Sequence, residues 1–403
     1  MSSQHANGGI VITAIDLAAD SAEGTECPET PEATPLAGLT LAVKDNIDVA
    51  GVPTTAGSQL LGREAALRTA PVVAALEAAG ARVNAKVNLH EFAYGVSSDN
   101  PWHGRTPNPR FPDHVPGGSS GGSAAAIAGG VSDIALGTDT AGSIRIPAAC
   151  TATVGLRPRN GSLDLTGVFP LCPSFDTVGP MAGTVQLVDA AWQAMRAGRS
   201  AGHAAGRGSV RHGAASSGEE RALPEKVGFF GDPDPRALEL LKDLGVEPVA
   251  LAFPLEEIED EFWAPFRAEI ARTHAATYPR LAEDYDPNVA AKMANTQGVQ
   301  AAEYEERMAA LGAIRDRVLV ECKMKGVTSV VSPVLGLPVP RATDDEVDYR
   351  NLLGLYTIPA SALNFASLAI GNFLITGLTE DHVLALGRAL EEAGLAPVLP
   401  ALA

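Results

Sequence analysis

Pro116-Gly-Gly-Ser-Ser-Gly-Gly-Ser-Ala-Ala-Ala-Ile-Ala-Gly-Gly130, followed after two residues by Asp133-Ile-Ala-Leu-Gly-Thr138, is the stretch on which the fold turns. Alone, a glycine-serine run reads as a flexible linker with solvent on both sides. Here it leads directly into an apolar helix of very small residues and then into a buried strand, so it must be held inside the fold. A helix of alanine and serine contributes to a core only where neighbouring elements approach its backbone closely.

Upstream, Leu39, Leu41 and Val43 alternate with other residues, the period of two that marks a strand, and the chain turns at Asp45–Asn46. Lys44 stands at the strand's end. Thr69 to Gly80 reads as a helix, with Thr69 as N-cap, Pro71 in the first turn and Gly80 just past the end. The short strand ARVNAKVN follows. Strand, helix, strand in succession implies a right-handed crossover and an α/β sheet with both faces covered. Residues 101–116, rich in proline, read as an ordered surface loop.

Downstream, residues 197–225 are rich in Gly, Ala, Ser and Arg without apolar periodicity, which predicts a flexible insertion. Strand, turn, helix and strand resume over 226–251, and 326–332 reads as another buried strand. The expected organisation is one domain over 35–403 interrupted near 197–225, preceded by a poorly ordered 1–34. Glu256 to Glu261 open a helix as a solvated first turn that complements the helix dipole.

Composition narrows the function. The 403 residues carry 30 Lys+Arg against 48 Asp+Glu, a net charge of −18, which opposes autonomous binding to nucleic acid. With 46% hydrophobic residues the chain can fill a sizeable core. No run of about 18 apolar residues predicts a membrane span, and the N-terminus lacks the pattern of a secretory signal. Cys27, Cys150, Cys172 and Cys322 are scattered, which predicts free thiols in a reducing cytoplasm.

Motifs for phosphate cradling or zinc, GxGxxG after a strand, GxxxxGK[ST] and HExxH, are absent from the sequence. His90, His103, His114, His274 and His382 stand apart and fall in no catalytic motif. Gly137-Thr-Asp-Thr-Ala-Gly-Ser-Ile-Arg-Ile-Pro147 reads instead as a strand end turning into a helix. Such a turn exposes backbone amides. Those of Thr140, Ala141, Gly142 and Ser143 can converge on an oxygen that becomes negative, as in an oxyanion hole. The Ser143 hydroxyl beside them is placed either to attack a carbonyl or to cap the following helix. As a nucleophile it needs a base, and lysine qualifies only if burial lowers its pKa by roughly three units. Lys44 is either that base or an ordinary strand-end cation.

Together, KDNIDVAGVPTTAGS, PGGSSGGSAAAIAGG and GTDTAGSIRIPAACTATVGLRP closely resemble the amidase signature family of serine hydrolases. The resemblance covers residues 35–190 most firmly. It implies an α/β/α sandwich around a mixed central sheet and carries over three roles: Lys44 as general base, Ser119 as the bridging serine after a cis peptide at Gly118, and Ser143 as acyl-accepting nucleophile. Asp139 and Arg145, flanking the nucleophile loop, are expected to hold its shape. Ala141 stands where glycine is commoner in the family. If that position needs positive φ, alanine adds strain, and its methyl crowds the acyl pocket.

The activity implied is cleavage of a small linear carboxamide, a primary amide first of all, to a carboxylate and ammonia, with no metal or organic cofactor. The expected partner is a small-molecule amide, with neither nucleic acid nor membrane, and a homodimer is compatible with the family. The GTDTAGS variant also resembles allophanate hydrolases. An amidotransferase component of the A type that hands ammonia to a partner, and a non-catalytic descendant used for binding, are the alternatives. Tyr94, Trp102 and Phe175 are candidates for an aromatic pocket, or equally for core and surface packing.

Overall fold

A computed structural model describes residues 8–15, 34–62, 64–203 and 223–403. Among them one mixed sheet is built from Val11–Ala14 (β1), Thr40–Lys44 (β2), Arg82–Val87 (β3), Ile134–Asp139 (β4), Val154–Arg157 (β5), Thr177–Ala182 (β6), Lys226–Phe229 (β7), Glu247–Ala250 (β8), Val327–Pro333 (β9), Ala366–Ile370 (β10) and Phe373–Gly377 (β11). The strand order is β1-β3-β2-β4-β6-β5-β10-β11-β9-β7-β8. Helices Pro71–Ala78 (α1), Gly121–Ala128 (α2), Arg145–Thr151 (α3), Val185–His203 (α4), Pro235–Asp243 (α5), Leu255–Thr273 (α6), Pro287–Ala294 (α7), Ala301–Lys325 (α8), Glu346–Leu353 (α9), Ile358–Ala362 (α10) and Glu380–Glu392 (α11) accompany it. This is the α/β/α architecture with a mixed sheet that the sequence predicts. No helix among the described residues is long and apolar enough to cross a membrane.

The period of two in β2 places its residues on two faces. Leu41 and Val43 enter a core with Val73 and Leu76 of α1 and Trp192 of α4, whereas Ala42 enters a second core with Ala124 and Ala125 of α2. Lys44, two residues beyond Ala42, therefore faces α2. Strand β2 pairs in parallel with β4, Leu41 opposite Ile134 and Val43 opposite Leu136, so their C-terminal ends lie side by side. In sheets of this kind the carboxyl ends of the strands are where ligands bind.

Helix α2 gains its value from close approach. A Cβ at Gly122 would stand 2.1 Å from the Asn88 carbonyl oxygen, a contact no side chain tolerates. Gly-Gly at the start of α2 is thus a packing requirement, and the linker reading fails for this segment.

Several details differ from expectation. Ala70, not Thr69, is the N-cap of α1, and the Thr69 hydroxyl instead accepts from the Ala50 amide at 3.1 Å. Order begins before Pro35, because β1 pairs antiparallel with β3, Val11 opposite Val87. Residues 1–7 and 16–33 of the predicted 1–34 segment lie outside the described residues. Of the expected insertion at 197–225, residues up to His203 continue α4 and 204–222 lie outside the described residues. Strand β7 then rejoins the same sheet, in parallel with β9. Among the described residues Cys150, Cys172 and Cys322 are buried and unpaired, while Cys27 lies outside them.

Candidate active site

Lys44 is fully buried at the end of β2. Its Nζ donates to the Ser119 hydroxyl at 2.8 Å, the Ser120 hydroxyl at 2.9 Å and the Thr138 hydroxyl at 2.7 Å. Among the described residues no carboxylate pairs with it. Another buried lysine, Lys86, shows the usual alternative: its Nζ lies 2.7 Å from Asp45 Oδ1. Burial among neutral oxygens, the three hydroxyls and the Thr138 carbonyl at 3.5 Å, penalises the ammonium form, and it outweighs the attraction of Asp139 and Asp176, lowering the Lys44 pKa to about 7. An amine of that pKa can accept a proton at neutral pH.

The Gly118–Ser119 peptide is cis. Ser143, just past β4, lies beside this segment: its carbonyl accepts the Ser120 amide at 3.1 Å. The Ser143 hydroxyl forms no hydrogen bond with either Ser119 or Lys44, and faces a cavity of about 450 Å³. Nor does it cap α3, whose N-cap is Ile144 with no side-chain cap bond. The base and bridging serine are therefore linked directly, and the third serine stands next to them on the cavity wall.

The nucleophile loop is braced from beneath. Asp139, fully buried, accepts Arg145 Nε at 3.0 Å and Nη2 at 2.9 Å, Arg157 Nη1 at 3.0 Å, and the amides of Gly142 at 2.9 Å and Ile144 at 3.1 Å. Burial alone would push this carboxyl up; Arg145, Arg157 and the hydrogen bonds outweigh it and hold the group well below the usual carboxylate range. The Gly142 amide is thus committed to Asp139, which corrects its expected place in an oxyanion hole and leaves Thr140, Ala141 and Ser143 as candidate donors. Gly142 has φ of +144°, and a Cβ there would meet Thr357 Oγ1 at 2.3 Å, so only glycine fits. Ala141 is not a positive-φ residue, so the strain expected of alanine does not arise; its carbonyl accepts the Thr357 hydroxyl at 2.7 Å.

Replacing Asp139 with asparagine is expected to destabilise the protein by about 3–5 kcal/mol, because two buried guanidinium groups lose their counter-charge. Chemical denaturation at pH 7 measures it. A loss below about 1 kcal/mol would contradict the bracing role.

Sequence reading did not assign Arg157, Ser120, Thr138, Thr357 or Ser361. Arg157 lies within the quoted GLRP stretch, whereas Thr357 and Ser361, which accept Arg145 through a carbonyl and a hydroxyl at 2.6 and 2.8 Å, come from more than 200 residues away. Of the three aromatic candidates only Tyr94 lines the cavity. Trp102 points elsewhere, its Nε1 donating to Glu91 at 2.7 Å, and Phe175 packs on Phe262 in the core with ring centroids 5.0 Å apart. Trp263 and Phe266 of α6 supply the aromatic wall instead. Among the described residues no group of three or more His, Cys, Asp or Glu is arranged to hold a metal.

A mixed α/β sheet carrying a buried lysine, a serine after a cis peptide and a serine on a glycine-tight loop defines a class of protein, and likeness to known proteins agrees. The family model described as Amidase matches residues 3–215, more than half of the chain, and the chain belongs to that family. The A component of the glutamyl-tRNA(Gln) amidotransferase of Salinibacter ruber is 47% identical over 152 residues, 38% of this chain and 30% of the relative. The chain thus spans about a third of the length of the curated relatives it matches. Among solved structures, one described as an amidase is 30% identical with a TM-score of 0.75, covering 89% of this chain and 85% of that one. The allophanate hydrolase of Kluyveromyces lactis is 25% identical with a TM-score of 0.79, covering 96% of this chain and 67% of the other.

Proposed function

We propose that this chain is a serine amidase that cleaves the C–N bond of a small linear carboxamide, a primary amide above all, to a carboxylate and ammonia. The observation that carries the reading is the buried, uncharged-capable amine of Lys44, 2.8 Å from the Ser119 hydroxyl, in a serine segment whose Ser120 amide donates to the carbonyl of the cavity-lining Ser143. Ser143 Oγ attacks the carbonyl carbon, its proton passing to Ser119 Oγ while the Ser119 proton passes to Lys44 Nζ. The oxyanion is met by amides of the nucleophile loop. The reverse relay delivers the proton to the departing nitrogen as the C–N bond breaks, leaving an ester on Ser143 that water hydrolyses by the same path. The Ser119–Ser143 hydrogen bond forms on substrate binding, since such contacts tighten in the Michaelis complex. Residues 35–403, with β1 added at the edge of their sheet, act as one domain, and buried thiols at Cys150, Cys172 and Cys322, unpaired among the described residues, favour a cytoplasmic setting.

A fluorophosphonate probe tests this directly. It is expected to label Ser143, mapped by mass spectrometry of the digested adduct, with labelling lost in Lys44→Met. An unlabelled Ser143 in folded protein would favour a binding role without catalysis.

The identity to amidotransferase A components over 152 residues supports a second reading, an assembly component that passes ammonia onward. Ammonia release by the isolated chain from several primary amides, without preference for glutamine, excludes it. Ammonia from glutamine only with a partner present supports it.

A further inference from the structure

The cavity beside Ser143 is charged unlike the molecule around it. The chain carries a net −18, yet Arg267 of α6, Lys292 of α7 and Arg350 of α9 line this cavity against a single carboxylate, Glu346. That carboxylate is already engaged. It accepts Lys292 Nζ at 2.8 Å, the Ser97 amide and hydroxyl at 3.1 and 2.6 Å, and lies 3.4 Å from His90 Nδ1. Lys292 and Glu346 therefore cancel as a pair.

Arg267 and Arg350 remain. Among the described residues neither pairs with a carboxylate or donates a side-chain hydrogen bond, and both are half-buried. Their charge reaches the cavity wall, because both oppose the burial that pushes the Tyr94 hydroxyl up to about 12. A partly desolvated guanidinium without a protein counter-ion is complementary to a planar anion from solution, which it meets with two parallel hydrogen bonds. An acidic surface repels such an anion, so local cations are what allow it to enter.

Resting on the amidase reading of Ser143, we propose that the substrate is a short linear amide whose acyl portion ends in a carboxylate, bound by Arg267 and Arg350. Half-amides of dicarboxylic acids and N-carboxyureas share this chemistry. The cavity of about 450 Å³ has room for either, with Tyr94, Trp263 and Phe266 alongside the carbon chain.

The test pairs each charged amide with an uncharged partner: succinamate with butyramide, and N-carboxyurea with urea. The ratio of kcat/KM is expected to favour the charged member by about 100-fold, the scale of a charge-assisted bidentate contact. Arg267→Gln and Arg350→Gln are each expected to cut that ratio by about 10-fold or more, and Arg350→Lys to restore part of it. Which pair shows the larger ratio distinguishes the two sources. Calorimetric titration of succinamate and of a non-hydrolysed carboxyurea analogue into Ser143→Ala gives a readout that needs no turnover. Binding there that weakens in the arginine variants supports the proposal even if the wild type hydrolyses no amide and the amidase reading falls. Equal kcat/KM for charged and neutral partners, or a ratio unmoved by both glutamine changes in protein that melts normally, overturns the proposal and leaves the amidase reading standing.

Discussion

Ser143→Ala is expected to lower kcat for amide hydrolysis by about 10⁴- to 10⁶-fold, the scale seen when a nucleophile is removed from a group of residues that act as a unit. The substitution removes only one oxygen. Among the described residues Ser143 forms no hydrogen bond through that oxygen, and its backbone carbonyl keeps the Ser120 amide, so the protein should melt within about a degree of wild type. Because the hydroxyl faces the cavity rather than capping α3, lost activity with retained stability can be assigned to chemistry. Ammonia release and differential scanning calorimetry, measured on the same preparation, check both halves. Retention of more than a tenth of wild-type kcat would remove Ser143 from the role of nucleophile.

Lys44→Met is expected to cost about 10²- to 10⁴-fold in kcat/KM, as for a general base, and to abolish a characteristic pH dependence. Lys44 with its pKa lowered to about 7 must be neutral to accept a proton, so wild-type kcat/KM should rise with pH and level off above about pH 7. Asp139 and Asp176 both raise that pKa, and Asp139 is needed to brace the loop. Asp176→Asn is therefore the informative variant: with one opposing charge removed, the rising limb should move to lower pH. A limb that stays in place in Asp176→Asn, or one that survives Lys44→Met, would show that another group titrates.

The same group links pH to stability. Its pKa is about 7 folded against 10.5 for an unperturbed lysine, so between those values the unfolded chain holds a proton that the folded one does not. Stability therefore rises with pH across that window, by at most about 1.4 kcal/mol per pH unit from this residue, and is independent of Lys44 below it. Subtracting the unfolding free energies of Lys44→Met from those of wild type isolates the slope. A difference that is flat between pH 7 and 10 would mean that the amine is solvated.

Much of the scaffold was legible because its causes are local. Alternation in Leu39–Val43 fixed both strand and facing, which put Lys44 on the side of Ala42 and α2. The small residues of α2 announced close packing, and the Gly122 contact with Asn88 supplies the reason. Aromatic residues were less informative. Trp102 and Phe175 have the composition of a pocket wall, but aromaticity implies burial against something without saying what, and one went to Glu91 and the other to Phe262. The amide of Gly142 illustrates a different gap: a turn that exposes N–H groups does not reveal which of them a neighbouring carboxylate has claimed.

What the amino-acid order determined by itself is the strand ending at Lys44, the tight glycine-serine entry to α2 and the loop presenting Ser143. Each follows from side-chain alternation, steric size and backbone freedom, which act over a few residues. Only the tertiary structure decided that Lys44 meets hydroxyls rather than a carboxylate, that Arg145 and Arg157 share Asp139, and that Arg267 and Arg350 face the cavity of Ser143 without a counter-charge among the described residues. Desolvation and ion pairing depend on which distant segments come together, and their strength is set by burial that no local stretch of chain can encode.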